Sequence, residues 1–124
     1  MSRKSLKRAD SRREMRGWRG RGPAFAVLFA TLGDETRLKL VMTLASGEPR
    51  SIAELTAGSK LTRQAITKHL RVLERVGMVR CQREGRESRF AFDPRPVMEM
   101  REYLEKVSAE WDAALGRLKE FVED

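Results

Sequence analysis

The chain has 124 residues, 40% of them hydrophobic, with 26 Lys and Arg against 18 Asp and Glu and a net charge of +8. That length holds one domain with a modest core, and the surplus of cations points to polyanions or acidic surfaces as partners. A lone cysteine, Cys81, excludes an internal disulfide framework and a Cys-rich zinc site, and no apolar run approaches the roughly 18 residues of a membrane span. With no signal-peptide pattern in view, a cytoplasmic location and no membrane partner are expected.

The charge is unevenly spread. Residues 1–22 carry +7, residues 23–49 carry −1, residues 50–89 carry +6 and residues 90–124 carry −4. The positive field therefore falls on the N-terminal end and on the middle of the chain.

Residues 1–22 end in RGWRGRG and have little apolar content to offset the entropy of ordering. They are expected to form a flexible basic arm, either lying along phosphates or serving as a solubilising tail, with one folded domain over 23–124. Pro23 then opens AFAVLFATL, apolar nearly all round, which suits a short helix buried on more than one side.

Asp34 is placed to cap a second helix, ETRLKLVMTLA, in which Leu38, Val41, Leu44 and Ala45 form the buried stripe and Gly47 and Pro49 mark the end. SIAE spells a capping box between Ser51 and Glu54, and Gly58 stops the short helix that follows. After the turn GSK, Thr62 can cap the next helix, with Leu61 stapled onto Ile66. Two capped helices joined by a tight glycine-containing turn are the pattern of a helix-turn-helix.

The second of these helices spans about Thr62 to Val76. It buries Ile66, Leu70, Leu73 and Val76, ends at Gly77, and presents Arg63, Gln64, Thr67, Lys68 and Arg71 on its other side. Such a polar face could be a merely solvated one. It also suits base reading, because Arg can fork onto guanine, Gln onto adenine, and a Thr methyl can pack on thymine in the major groove, with Lys68 and Arg71 on phosphates.

VRCQRE and SRFAFD flank a Gly-Arg step and alternate as the strands of a hairpin. Arg83, Arg86 and Arg89 are expected around its tip, where a wing would touch phosphates or the minor groove. From Pro96 onward one long helix is expected, since Val97, Met100, Leu104, Val107, Trp111, Ala114, Leu118 and Phe121 alternate spacings of 3 and 4 as a heptad seam. A seam of that length asks for a partner helix, and a two-fold dimer would set two recognition helices about 34 Å apart on an inverted repeat.

Enzymatic chemistry finds few residues. The single histidine, His69, lies at the flank of an apolar stripe, where packing or hydrogen bonding is the ordinary role, and no phosphate-cradling glycine loop occupies a strand-to-helix setting. One Cys and one His on different elements leave no metal-ligand cluster, so neither metal nor cofactor is expected. Cys81, flanked by Arg80 and Arg83, could act as a redox sensor, although its alternation with Val79 favours a buried, inert thiol.

In order and spacing, LGDETRLKLVMTLASGE, SIAEL, LTRQAITKHLRVLERVGMV and REGRESRFAFD resemble the ArsR-type (arsenic-repressor-like) bacterial transcriptional regulators over about residues 24–122. The resemblance implies a mostly α winged helix-turn-helix with a small β-hairpin. It further implies a homodimer interface formed by the first helix (Phe25, Leu28, Phe29) and the last (Met100, Leu104, Val107, Trp111, Leu118). Such proteins usually repress from an operator in their own promoter region until an inducer loosens their grip. Many sense metals through a cysteine pair before the recognition helix or through His and carboxylates in the last helix; IAELTAGSK has no cysteine and the last helix no histidine, so neither site carries over. The leading expectation is a dimeric, sequence-specific regulator of double-stranded DNA. The competing ones are a general RNA or DNA binder dominated by the arm, and a regulator switched through Cys81.

Overall fold

The computed structural model describes residues 22–123. The expectations for residues 1–21, including most of the basic arm, lie outside the described residues. Among the described residues, five helices and three short strands follow one another as α1 (Gly22–Leu32), α2 (Glu35–Ala45), β1 (Arg50–Ser51), α3 (Ile52–Ala57), α4 (Arg63–Arg75), β2 (Val79–Glu84), β3 (Glu87–Phe92) and α5 (Arg95–Glu123). The chain divides into two compact units, one of residues 25–97 and one of residues 98–123 with 22–24.

In the first unit, local chemistry starts and stops each helix where the sequence says it should. Asp34 accepts from the Arg37 amide at 3.0 Å and opens α2. Ser51 and Glu54 make both halves of the capping box of α3. Thr62 accepts from the Ala65 amide at 3.2 Å and opens α4. Each such cap is worth about 1 kcal/mol, because it satisfies an amide that the first turn leaves without a partner.

Helix α4 ends in a Schellman motif. Gly77 adopts φ +84°, its amide donates to the Glu74 carbonyl at 3.0 Å, and the Met78 amide donates to the Leu73 carbonyl at 2.9 Å. Only glycine takes that left-handed position cheaply. The chain is thereby turned straight into β2, whose partner β3 returns through the two-residue loop Gly85-Arg86. Gly85 supplies the positive φ, +61°, that a tight hairpin needs at the first loop position.

The hairpin register runs from Val79 opposite Phe92 to Glu84 opposite Glu87. The expected two-stranded hairpin is extended by a third strand: β1 pairs antiparallel with the other edge of β3, Arg50 opposite Phe90 and Ser51 opposite Arg89. Strand β1 was not expected because two residues carry no alternation to detect.

The core of this unit gathers Leu40, Val41 and Leu44 of α2, Leu55 of α3, Ile66, Leu70 and Leu73 of α4, and Met78, Val79 and Phe90 around the sheet. In α2, Leu40 takes the place expected of Leu38, and both Leu38 and Ala45 are exposed. Val76 is the half-buried C-cap of α4 rather than a member of its buried stripe. Phe92 and Cys81 are also half-buried, so the Cys81 thiol is less enclosed than its alternation implied. Leu61, expected to staple onto Ile66, keeps a large exposed area.

Two buried polar anchors hold elements of this unit together. Arg37 Nε donates to the Thr31 carbonyl at 2.7 Å, tying α2 to the end of α1. Asp93, only 5% exposed, accepts from Arg80 Nε at 3.0 Å, the Arg95 amide at 3.1 Å and Arg95 Nη2 at 2.8 Å. These donors, Arg95 foremost, hold its carboxyl well below the usual carboxylate range. One side chain thus joins the end of the hairpin to the first turn of α5.

Two boundaries shift by a residue. Gly22 begins α1 ahead of Pro23, and Arg95 begins α5 ahead of Pro96. In the second unit α5 runs on without interruption to Glu123, with Arg101–Glu105 and Lys119–Glu123 ion pairs one turn apart along its surface.

Candidate nucleic-acid interface

The sequence places nine cations or polar donors at a DNA surface, and the structure separates them into three groups. The first is the leading face of α4. Arg63, Gln64 and Lys68 are exposed, and no side-chain hydrogen bond or ion pair among the described residues engages them. Thr67 follows one turn after Arg63 and donates its hydroxyl to the Arg63 carbonyl at 2.7 Å, which leaves its methyl and a lone pair uncommitted. Thr62, the N-cap, spends its oxygen on the Ala65 amide.

This face is presented by the packing on its other side. Ile66, Leu70 and Leu73 are buried, so α4 cannot rotate about its axis without exposing three large side chains. Burying each is worth roughly 1.5–3 kcal/mol, which holds Arg63, Gln64 and Lys68 at the surface. His69 sits between the two faces, with Nδ1 3.7 Å from the carboxylate of Asp34, the cap of α2. The Arg37 amide, with a smaller contribution from His69, holds Asp34 below the ordinary carboxylate range.

The second group is the hairpin tip. Arg86 lies in the loop itself and Arg83 pairs with Ser88 near the end of β2; both are exposed. No ion pair among the described residues occupies either one.

The third group departs from expectation. Arg89 is not at the tip: it stands mid-sheet, opposite Gln82 on one side and Ser51 on the other. Its side chain is 31% exposed, its guanidinium faces Glu54 at 3.5 Å, Glu84 at 3.4 Å and Glu87 at 3.4 Å, and Nη1 donates to the Pro49 carbonyl at 3.3 Å. Nε is buried and faces Glu84 without hydrogen-bond geometry. Arg71 stays exposed but already has partners, with Nη1 2.8 Å from Glu74 one turn along α4 and the guanidinium carbon 5.6 Å from the centre of the Phe90 ring. The hydrogen bond to Glu74 is the main reason its guanidinium is held even more firmly charged than usual. Arg71 and Arg89 thus differ from Arg63, Arg83 and Arg86 in already having carboxylate partners within the fold.

The arrangement corresponds to known proteins. Residues 32–82 match the family model described as a helix-turn-helix domain. An HTH-type transcriptional regulator of Bacillus subtilis (strain 168), YuzN, is 36% identical, with 56% of this chain and 83% of the relative aligned. The solved structure of an ArsR-like transcriptional regulator from Rhodococcus sp. RHA1 superposes with a TM-score of 0.74 at 33% identity, covering 82% of this chain and 95% of that one. The chain belongs to the ArsR-like helix-turn-helix transcriptional regulators. HlyU from Vibrio cholerae N16961 is also similar, with a TM-score of 0.57 at 26% identity over 68% of this chain and 91% of that one.

As an ArsR-like regulator the protein is a winged helix-turn-helix DNA-binding protein, and its family consists of transcriptional regulators rather than enzymes. Among the described residues no group of three or more His, Cys, Asp or Glu is disposed to hold a metal, and no helix is long and apolar enough to cross a membrane.

The interface residues expected on the flanking helices also divide. Phe25 and Met100 are buried within the chain itself, at 2% and 4% exposure, so each is a core residue of a single copy. Leu28, Phe29 and Val107 are half-buried. Leu104, Trp111, Leu118 and the seam residue Phe121 stand out from α5, with Trp111 65% exposed, and the neighbouring Leu115 and Val122 widen the apolar surface beyond the seam.

Proposed function

We propose that the protein is a dimeric, sequence-specific regulator that occupies an inverted-repeat operator and represses from it, its own promoter region being the first place to look. The observation that carries this reading is the unengaged leading face of α4, where Arg63, Gln64 and Lys68 stand exposed at the N-terminal end of a helix braced from behind by Ile66, Leu70 and Leu73. Donors at that end of a recognition helix meet base edges when it enters the major groove, and Arg and Gln make bidentate contacts there. The helix terminus adds its unpaired amides and positive dipole end for a phosphate.

Within this reading Arg63 and Gln64 read bases, Thr67 offers a methyl to thymine, and Lys68, Arg83 and Arg86 contact phosphates. The long exposed apolar stripe of α5 supports homodimerisation, because leaving Leu104, Trp111, Leu118 and Phe121 in water on one helix is costly and a second copy would cover them. Trp111→Glu would then give monomers by light scattering; a dimer that survives contradicts the seam as the interface. A protein working on genomic DNA belongs in the cytoplasm.

The test compares binding of the full chain to a duplex from its own upstream region and to a scrambled duplex at two salt concentrations. A preference of about 10³ or more that persists at the higher salt supports the reading. Equal, steeply salt-dependent binding to both favours the general nucleic-acid binder driven by the basic end of the chain.

A further inference from the structure

A groove of about 490 Å³ opens in the first unit between α2, α3 and the turn that leads into α4. Its size lies in the range of small-molecule sites, roughly 300–1,000 Å³. Leu61, 37% exposed, supplies apolar surface to it, and Leu40, Leu55 and Ile66 lie beneath with almost no area accessible. The apolar part could accept the body of an organic molecule.

The rim carries Lys39, Arg50 and Lys60 against Glu35 and Glu54, a surplus of one cation. Lys39 is bound to Glu35 at 3.0 Å. Glu54 is committed to the capping box of α3 and faces Arg89. Arg50 and Lys60 are left, and no ion pair or side-chain hydrogen bond among the described residues neutralises either. A cationic surplus, with Arg50 and Lys60 unengaged, beside the exposed Leu61 complements an anion with an apolar body.

We propose that this groove is an effector site for a small organic acid, with its carboxylate held by Arg50 and Lys60 and its aromatic or aliphatic body laid against Leu61. Lys60 and Leu61 immediately precede Thr62, the N-cap of α4. An occupant drawing on both therefore pulls on the entry to the recognition helix and lowers its fit to DNA. The regulatory consequence rests on the reading of α4 given above; the binding site does not.

The full chain is titrated by calorimetry with 1-naphthoate, with decanoate and with the uncharged 1-naphthalenemethanol, and operator binding is followed by fluorescence anisotropy with and without each acid. At least one acid is expected to bind saturably, one per chain, and about tenfold or more tightly than the alcohol, a discrimination that a paired charge supplies. Arg50→Gln with Lys60→Gln should erase that difference. Gly58→Phe should fill the groove and abolish binding of every probe: Gly58 has φ −89° and ψ 9°, which any residue adopts, and a Cβ there meets nothing within 4 Å. Thermal melts establish that each variant is folded, and Thr43→Trp, also on the groove wall, repeats the block from α2.

No saturable binding of either acid below about 1 mM overturns the site, as does equal affinity for acid and alcohol or binding that survives both blocking variants. Saturable acid binding with unchanged operator affinity overturns the effector role. Acid binding in a chain that shows no sequence preference for DNA, by contrast, upholds the site and removes the DNA-reading account.

Discussion

The leading face of α4 and the middle of β3 contain the same kind of residue in opposite circumstances. Arg63 projects from the start of α4 with no carboxylate partner among the described residues, whereas Arg89 stands among Glu54, Glu84 and Glu87 and donates to the Pro49 carbonyl. Both belong to the stretch 50–89 whose charge is +6, and by composition they are equivalent. What separates them is whether a carboxylate has already been supplied within the fold. A guanidinium surrounded by carboxylates contributes little field at a phosphate, so the number of arginines in the domain overstates the number available to DNA.

The largest effect expected from this contrast is on sequence discrimination. Arg63→Ala should cost about 1–3 kcal/mol at one or two positions of each half-site while leaving the melting temperature nearly unchanged; competition binding with operator variants measures it. Arg89→Ala should do the reverse, lowering stability by about 1 kcal/mol through the lost bond to Pro49 and the carboxylates left facing one another, with the salt dependence of DNA binding unaltered. A normal melt and a weakened, less salt-dependent complex would move Arg89 back to the interface.

A smaller effect separates the tip from the sheet. Arg86→Gln should weaken binding to all duplexes alike and reduce the slope of log K against log salt by about one, while Arg71→Gln should leave that slope unchanged, because Arg71 is already paired with Glu74. Equal slopes for Arg86→Gln and wild type would remove the wing tip from the DNA.

The smallest effect at neutral pH concerns Asp93. Its carboxyl is held below its unfolded value by Arg95 and Arg80, so the stabilisation is fully present above about pH 4 and is lost as pH falls through the depressed folded value. Melts of the wild type should therefore decline more steeply below about pH 4 than those of Asp93→Asn, which carries no such proton linkage. Parallel declines would show that Asp93 contributes nothing to acid sensitivity.

Much of the fold was legible because its punctuation is local. Asp34, the Ser51–Glu54 box, Thr62 and Gly77 each act within four residues of themselves, so their identity and spacing announce the helix ends. The leading face of α4 was legible for the same reason, since a strong 3–4 periodicity leaves one side for Arg63, Gln64 and Lys68. What was not legible depends on distant partners. Strand β1 exists because β3 has a free edge forty residues later, and spacing alone puts Arg89 near the tip because the carboxylates that hold it mid-sheet come from α3 and both strands. In α2 apolar residues occur on more than one side, and the choice of Leu40 over Leu38 is made by the helices and sheet around it rather than by spacing.

The exposed stripe of α5 raises the same issue on an apolar surface. Met100 was grouped with Leu104 and Trp111 by spacing alone, yet it is buried in a single copy while the other two are exposed. A seam drawn from periodicity joins positions that serve the monomer with positions available to a partner.

The central claim is that the unengaged donors of α4 read DNA sequence. It is tested most directly by selecting bound duplexes from a random pool with the wild-type chain and, in parallel, with Arg63→Ala. The account predicts an inverted repeat with half-site centres about 10 base pairs apart, and for Arg63→Ala the same repeat with sequence preference lost at one or two positions of each half. An enriched site identical for the two proteins, or no enriched site with either, would contradict it.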